Sequence, residues 1–138
     1  MLEIGGATAV ITGGGSGIGA AMARHWVRNG GRVVLADAVP AALERVKREI
    51  GAADDEVVTK VCDVTTEEDS AALASLAVER FGAINLVFPA AGIIRDGLMV
   101  AVDRDTGKVR KKMSLEQFRS VLDINLTGVF LTVRDCVE

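Results

Sequence analysis

Residues 11–30, ITGGGSGIGAAMARHWVRNG, place five glycines in the seven positions from Gly13 to Gly19, between an apolar run and a helical one. Glycine costs on the order of 1 kcal/mol per residue inside a helix or strand. Such a cluster therefore marks a backbone that turns tightly and comes close to something. Residues 7–11 before it read as a strand. Residues 18–29 after it carry helical periodicity, with Ile18, Met22 and Trp26 on one face and Asn29-Gly30 as the stop. Strand, glycine turn and helix in that order are the setting of a dinucleotide-binding turn. The glycines permit the turn, let the backbone approach a pyrophosphate and let the helix pack close to the sheet. The free N–H groups at the helix start, with the helix dipole, favour phosphate charge. Gly15, Gly17 and Ala20 also satisfy a GxGxxA pattern, and no Lys-Ser/Thr pair follows, which disfavours a nucleoside-triphosphate loop.

Outward from this turn the elements alternate. Residues 32–36 are strand-like and end at Asp37. Pro40 suits a first helical turn, Leu43, Val46 and Ile50 form a stripe, and Gly51 closes the helix. Residues 56–62 read as a third strand. Thr65 and Glu68 are spaced as a capping box for a helix to Phe81, with Gly82 past its end. Residues 84–88 read as a fourth strand. Strands and helices at this spacing make right-handed parallel crossovers, and continuous aliphatic strands fit a sheet covered on both faces. The expected fold is α/β: a Rossmann-type, doubly wound parallel sheet of about four strands in a single domain over residues 1–138. Residues 99–113 alternate apolar and polar around Asp105-Thr106-Gly107-Lys108 and predict a small hairpin inserted after the fourth strand. Ser114 and Gln117 are spaced as a second capping box, opening one helix that carries Phe118, Val121, Leu122, Val129 and Val133.

Composition narrows the partners. The 138 residues are 49% hydrophobic but only 4% aromatic, so the core should be aliphatic. A net charge of −3 argues against nucleic acid, and no run approaches the roughly 18 apolar residues needed to span a membrane. The N-terminus does not read as a signal peptide. Cys62 and Cys136 lack metal-ligand spacing and His25 is the lone histidine, so the expectation is no metal site and core thiols in a reducing, cytoplasmic setting.

Asp37 sharpens the cofactor. It stands at the end of the second strand, 18 residues beyond Gly19, near the spacing of a ribose-binding acid. A carboxylate accepts bonds from ribose hydroxyls and repels a 2′-phosphate. No arginine sits in the glycine loop or just after Asp37, so NAD is favoured and NADP disfavoured.

The segment Thr12 to Gly19, TGGGSGIG, resembles the TGxxxGIG fingerprint of the short-chain dehydrogenase/reductase family. Asp63-Val64 after the third strand, Ala90-Ala91-Gly92 after the fourth, and Asn125 to Phe130, NLTGVF, match the same family in order and spacing. The resemblance covers essentially the whole chain. It implies cofactor contacts from Gly13, Gly15, Ser16, Gly17, Ile18 and Gly19, and from Asp37 with Ala38. It further implies that Asp63 holds the adenine amino group and the Val64 backbone the adenine ring. Ala90, Ala91, Gly92 and Ile93 would line the ribose and nicotinamide, and Asn125 would be the family's catalytic asparagine, ordering water in a proton relay. On a helix face shared with Phe118, Leu122 and Val129, an asparagine needs a buried partner.

Three departures from the family pattern stand out. Pro89 and Ala90 replace the usual Asn-Asn or Asn-Ala, and Pro89 has no N–H to tie the strand end to its neighbours. The hairpin at residues 100–111 is an insertion, basic in balance, next to the ligand-binding end of the sheet. Most important, the family's general acid/base is a tyrosine with a lysine four residues on, and these 138 residues contain no tyrosine. The resemblance therefore implies the cofactor half of an enzyme that moves hydride between a nicotinamide and an alcohol/ketone substrate, truncated before its acid/base segment. A non-enzymatic NAD-binding or interaction module is the alternative. The fourth strand's open edge and the apolar last helix point to a homo-oligomer paired through that helix, or to cover by a further segment.

Overall fold

In the computed structural model, described for residues 3–51, 53 and 55–137, four strands form one parallel sheet. They are β1 (Thr8–Thr12), β2 (Arg32–Asp37), β3 (Val57–Val61) and β4 (Leu86–Pro89), in the order β3-β2-β1-β4. The order steps outward from β1 in one direction and then reverses to β4, leaving a switch point between β1 and β4 at the carboxyl ends of the strands.

The two-residue period of the strands divides the core into two layers. Ala9, Ile11, Val33 and Leu35 point to one face and pack with Ala20, Ala23 and Trp26 of α1 (Gly17–Arg28) and with Leu43 and Val46 of α2 (Pro40–Ile50). Val10, Val34 and Ala36 point to the other, against Leu73, Ala74 and Ala77 of α3 (Glu67–Phe81) and the buried thiols Cys62 and Cys136. Burial pushes both thiols up to about 11, so they are neutral packing groups.

Several local expectations need correction. Ile18 is 75% exposed, and the buried face of α1 is Gly19, Ala20, Ala23 and Trp26. Small residues there let the helix sit against β1, and the one large group, Trp26, donates its Nε1–H to the Ala7 carbonyl at 3.1 Å. The cap of α3 is Thr66, whose hydroxyl accepts from the Asp69 N–H, and not Thr65. Thr65 is taken: its N–H and hydroxyl both donate to Asp63 Oδ1, at 2.9 and 2.7 Å. Ser114 does cap the next helix through the Gln117 N–H, whereas the Gln117 side chain donates to the Arg95 carbonyl instead of closing a box.

The hairpin is present as β5 (Val100–Val102) and β6 (Val109–Lys112), closed by a turn in which Gly107 has φ +65° and Asp103 Oδ1 accepts from Asp105, Thr106 and the Thr106 hydroxyl. The last helix is not continuous α. Residues α4 (Leu115–Leu122) and α5 (Gly128–Cys136) flank a π-helical turn at Asp123–Thr127, where the Gly128 N–H reaches back five residues to the Asp123 carbonyl. No helix among the described residues is long and apolar enough to cross a membrane.

Candidate cofactor site

The carboxyl ends of all four parallel strands open on one groove of about 290 Å³. It is lined by Gly13 and Ser16 after β1, Asp37, Ala38 and Val39 after β2, Cys62, Asp63 and Val64 after β3, Ala91, Gly92 and Ile93 after β4, and Ile124 of the π turn. Nine of the residues singled out in the sequence meet here. Gly15, Gly17, Ile18 and Gly19 shape the loop without lining the groove, Ala90 lies behind it, and Val39, Cys62 and Ile124 are walls that the sequence did not single out.

The glycine loop is held from three sides. Gly13 has φ +64°, and a Cβ there would lie 2.6 Å from the Ala90 carbonyl oxygen and the Ala91 nitrogen, so the loop rests directly on the backbone after β4. The Gly14 N–H donates to the Ala36 carbonyl at 2.9 Å and the Gly15 N–H to Asp37 Oδ2 at 2.9 Å, fixing the loop to the end of β2. Gly15 is buried with the first turns of α2 against it: a Cβ would meet that of Ala42 at 2.7 Å. Ser16, extended and exposed, precedes α1 with no side-chain cap, so the first-turn N–H groups of that helix are not taken up by its own cap. A backbone with open donors and no side-chain bulk suits a pyrophosphate.

Asp37 is half-buried. Its Oδ1 accepts the Val39 N–H at 3.0 Å while Oδ2 holds Gly15, which orients the carboxylate and leaves further lone pairs for a hydroxyl. Arg45 of α2 also reaches the loop, its Nη2 donating to the Gly15 carbonyl at 2.8 Å. Local sequence did not place an arginine here, because Arg45 lies 30 residues from Gly15 and only the docking of α2 brings it in.

At the end of β3 the Cys62 N–H donates to the Asp37 carbonyl at 3.1 Å, joining the two acidic corners of the groove. Asp63 is exposed, and the two bonds from Thr65 hold its carboxyl below the usual carboxylate range. One of its oxygens is thus committed to Thr65. Val64 is buried against α5, where a Cβ on Gly128 would meet Val64 Cγ2 at 2.7 Å.

The bonds expected to be missing at Pro89 are largely recovered. The Asn85 N–H donates to the Thr8 carbonyl, and the two-residue period aims position 89 at Thr12. Proline has no proton to give, and the Ala90 N–H donates to the Thr12 carbonyl at 3.2 Å instead, with Ala91 N–H on the Thr12 hydroxyl at 3.4 Å.

Asn125 lies in the π turn and is exposed, not on a buried face as its helical spacing suggested. Its partner is the backbone of Ile93: Oδ1 accepts the Ile93 N–H at 2.8 Å and Nδ2 donates to the Ile93 carbonyl at 2.9 Å. The amide thus works as one more strand partner for the segment leaving β4. It also lines a second, apolar cavity of about 400 Å³ with Ile94, Met113, Phe118 and Val121. π turns recur at functional sites because the inserted residue redirects side chains.

The profile of the short chain dehydrogenase family matches residues 7–138. The chain is 36% identical over 134 residues to a 2,5-dichloro-2,5-cyclohexadiene-1,4-diol dehydrogenase of Sphingobium indicum, an alignment covering 97% of this chain and 48% of that one. It is 38% identical over 123 residues to an uncharacterized oxidoreductase of Mycobacterium bovis, covering 89% and 45%. Among solved structures it superposes on a short-chain dehydrogenase/reductase from Burkholderia phymatum in complex with NAD with a TM-score of 0.81, at 34% identity, over 98% of this chain and 44% of that one. A 3-ketoacyl-(acyl-carrier-protein) reductase from Brucella melitensis complexed with NADH gives 0.79 at 30% identity, over 97% and 50%. The chain thus spans about half the length of the proteins it matches. With the motifs gathered around one groove and the family match running almost end to end, the chain belongs to the short-chain dehydrogenase family of oxidoreductases.

Proposed function

We propose that this chain is the cofactor-binding portion of an NAD-dependent oxidoreductase acting on an alcohol/ketone pair, working in the cytoplasm. The observation that carries the reading is the placement of Asp37 between the glycine loop and the groove, with its carboxylate oriented by two backbone N–H groups. The residues fit a nicotinamide dinucleotide. Ser16 and the start of α1 receive the pyrophosphate, Asp37 and Ala38 the adenosine ribose, and Asp63 and Val64 the adenine. Ala91, Gly92 and Ile93 receive the nicotinamide side with Ala90 behind them, and Gly13, Gly15, Gly17, Ile18 and Gly19 shape the loop. The dinucleotide, when bound, supplies the hydride acceptor or donor. The chain itself binds and orients the dinucleotide. Asn125, by fixing Ile93 at both its N–H and its carbonyl, sets the wall between the groove and the apolar cavity.

Cofactor choice tests the reading. Calorimetric titration is expected to give tighter binding of NAD than of NADP. Asp37→Ala narrows that gap by roughly tenfold, the scale of one charge-assisted hydrogen bond. Equal or tighter NADP binding by the unmutated chain would overturn the assignment.

Assembly follows from the last helix. Leu115, Phe118, Leu122, Leu126, Phe130 and Val133 are all exposed and recur at intervals of three and four residues along α4, the π turn and α5. A continuous apolar stripe of this length is rare on a free surface. We assign it to pairing with the same helix of a second copy. Light scattering on a sample of verified mass should show a dimer or larger species. A dilute, stable monomer with low binding of an apolar-surface dye refutes the pairing.

A further inference from the structure

Gly15 is bracketed by opposite charges. Asp37 Oδ2 takes its N–H at 2.9 Å, and Arg45 Nη2 gives a hydrogen bond to its carbonyl at 2.8 Å. The two side chains come from different elements, the end of β2 and the second turn of α2, and no ion pair between them is found among the described residues. Arg45 is instead drawn toward Glu49, whose Oε1 lies 3.7 Å from Arg45 Nε, and the other oxygen of Glu49 is bonded by Arg24 of α1. Two arginines thus share one glutamate. Arg24, Arg45, Glu49 and Asp37 sum to zero charge, and removing the charge of Asp37 leaves the cluster at +1. The Arg45 side chain is 54% exposed, and of the five N–H donors of its guanidinium one is hydrogen-bonded to Gly15 while Glu49 is held only as a looser ion pair at 3.7 Å.

We propose that Arg45 is a latent phosphate ligand and a second specificity-determining residue: beside Asp37 it is held off a 2′-phosphate by that carboxylate, and it binds one once the carboxylate is neutralised. The inference rests on reading the groove as a nicotinamide-dinucleotide site. The chemistry is a matter of one oxygen. The ribose hydroxyl that an acid at the end of β2 accepts in NAD is the atom that bears the phosphate in NADP. A planar guanidinium on the adjoining peptide is suited to that dianion through paired N–H donors. Two charges on opposite sides of one glycine therefore set the preference between them, and the sequence around Asp37 alone accounts for only one.

A cycle of variants tests this: Asp37→Asn, Arg45→Gln and the pair, titrated with NAD and with NADP, with thermal melts to confirm folding. Asparagine keeps one oxygen in place of the two that accept the Gly15 and Val39 N–H groups, so Asp37→Asn removes the charge and one loop hydrogen bond, a cost shared by both nucleotides that the affinity ratio cancels. We expect Asp37→Asn to shift the NADP-to-NAD affinity ratio by at least about tenfold toward NADP. With Arg45→Gln added, that shift falls below about threefold, and Arg45→Lys in its place restores only part of it, because an ammonium keeps the charge but not the paired donors. An equal shift with and without Arg45 overturns the proposal. So does an equal loss for both nucleotides on Arg45→Gln in the Asp37→Asn background, which would make Arg45 only a support of the loop. Failure of the unmutated chain to bind either nucleotide overturns the dinucleotide reading itself, and the Arg45 assignment with it.

Discussion

Gly13→Ala is expected to abolish dinucleotide binding and to destabilise the fold by about 3 kcal/mol, read as a lower urea midpoint. Two costs add. The residue sits at φ +64°, a left-handed conformation that costs a residue with a Cβ about 1–2 kcal/mol. The added methyl would also lie 2.6 Å from the Ala90 carbonyl oxygen and the Ala91 nitrogen, which are backbone atoms tied to Thr12 and cannot swing aside. The loop must lift off the end of β4, which opens the groove at the switch point. Gly17→Ala is the control. It too has positive φ, at +51°, but a Cβ there meets nothing within 4 Å, so only the conformational cost of about 1–2 kcal/mol applies. Equal losses for the two variants would mean that close approach at Gly13 contributes nothing.

The second large effect is on turnover. A verified sample of these 138 residues is expected to form no NADH in an alcohol-dependent manner, even where NAD binds. A positioned general acid/base contributes typically 10²–10⁴-fold to such a reaction, and with no tyrosine in the chain the family's proton-transfer group is missing. Among the described residues around the groove none replaces it. Cys62 is a buried neutral thiol, Asp63 is held ionised by Thr65, and the Asn125 amide is bonded at both ends to Ile93. Following absorbance of NADH over alcohol concentration decides the matter. Sustained turnover that Gly17→Asp abolishes would mean that another acid or base acts in the groove.

Much of the fold was legible because its signals are local. The four parallel strands are short, mainly aliphatic runs, the first three helices end at an asparagine or a glycine, and the spacing between those strands suits parallel crossovers. The groove was legible for a related reason. In a parallel sheet all carboxyl ends lie on one side, so motifs that follow β1, β2, β3 and β4 must converge once the strands align. The cap of α3 differs from its expected place because two local partners competed. Thr65 and Thr66 both suit a cap, and the choice turned on Asp63, whose carboxylate engages Thr65 first in the turn before the helix.

What the sequence determined by itself is the order of elements, the glycine turn and the identity of the acidic and glycine residues at the strand ends. These depend on periodicity and backbone freedom, properties of neighbouring residues. Tertiary structure alone decided that Arg45 reaches Gly15 from 30 residues away and that Ala90 supplies the bond Pro89 lacks. It alone decided, too, that Asn125 leaves the α-helical register to hold Ile93 across 32 residues. The physical reason is common to all three. Each is a hydrogen bond between segments distant in the chain, and its partner is selected by the packing of helices on the sheet, which no local pattern encodes.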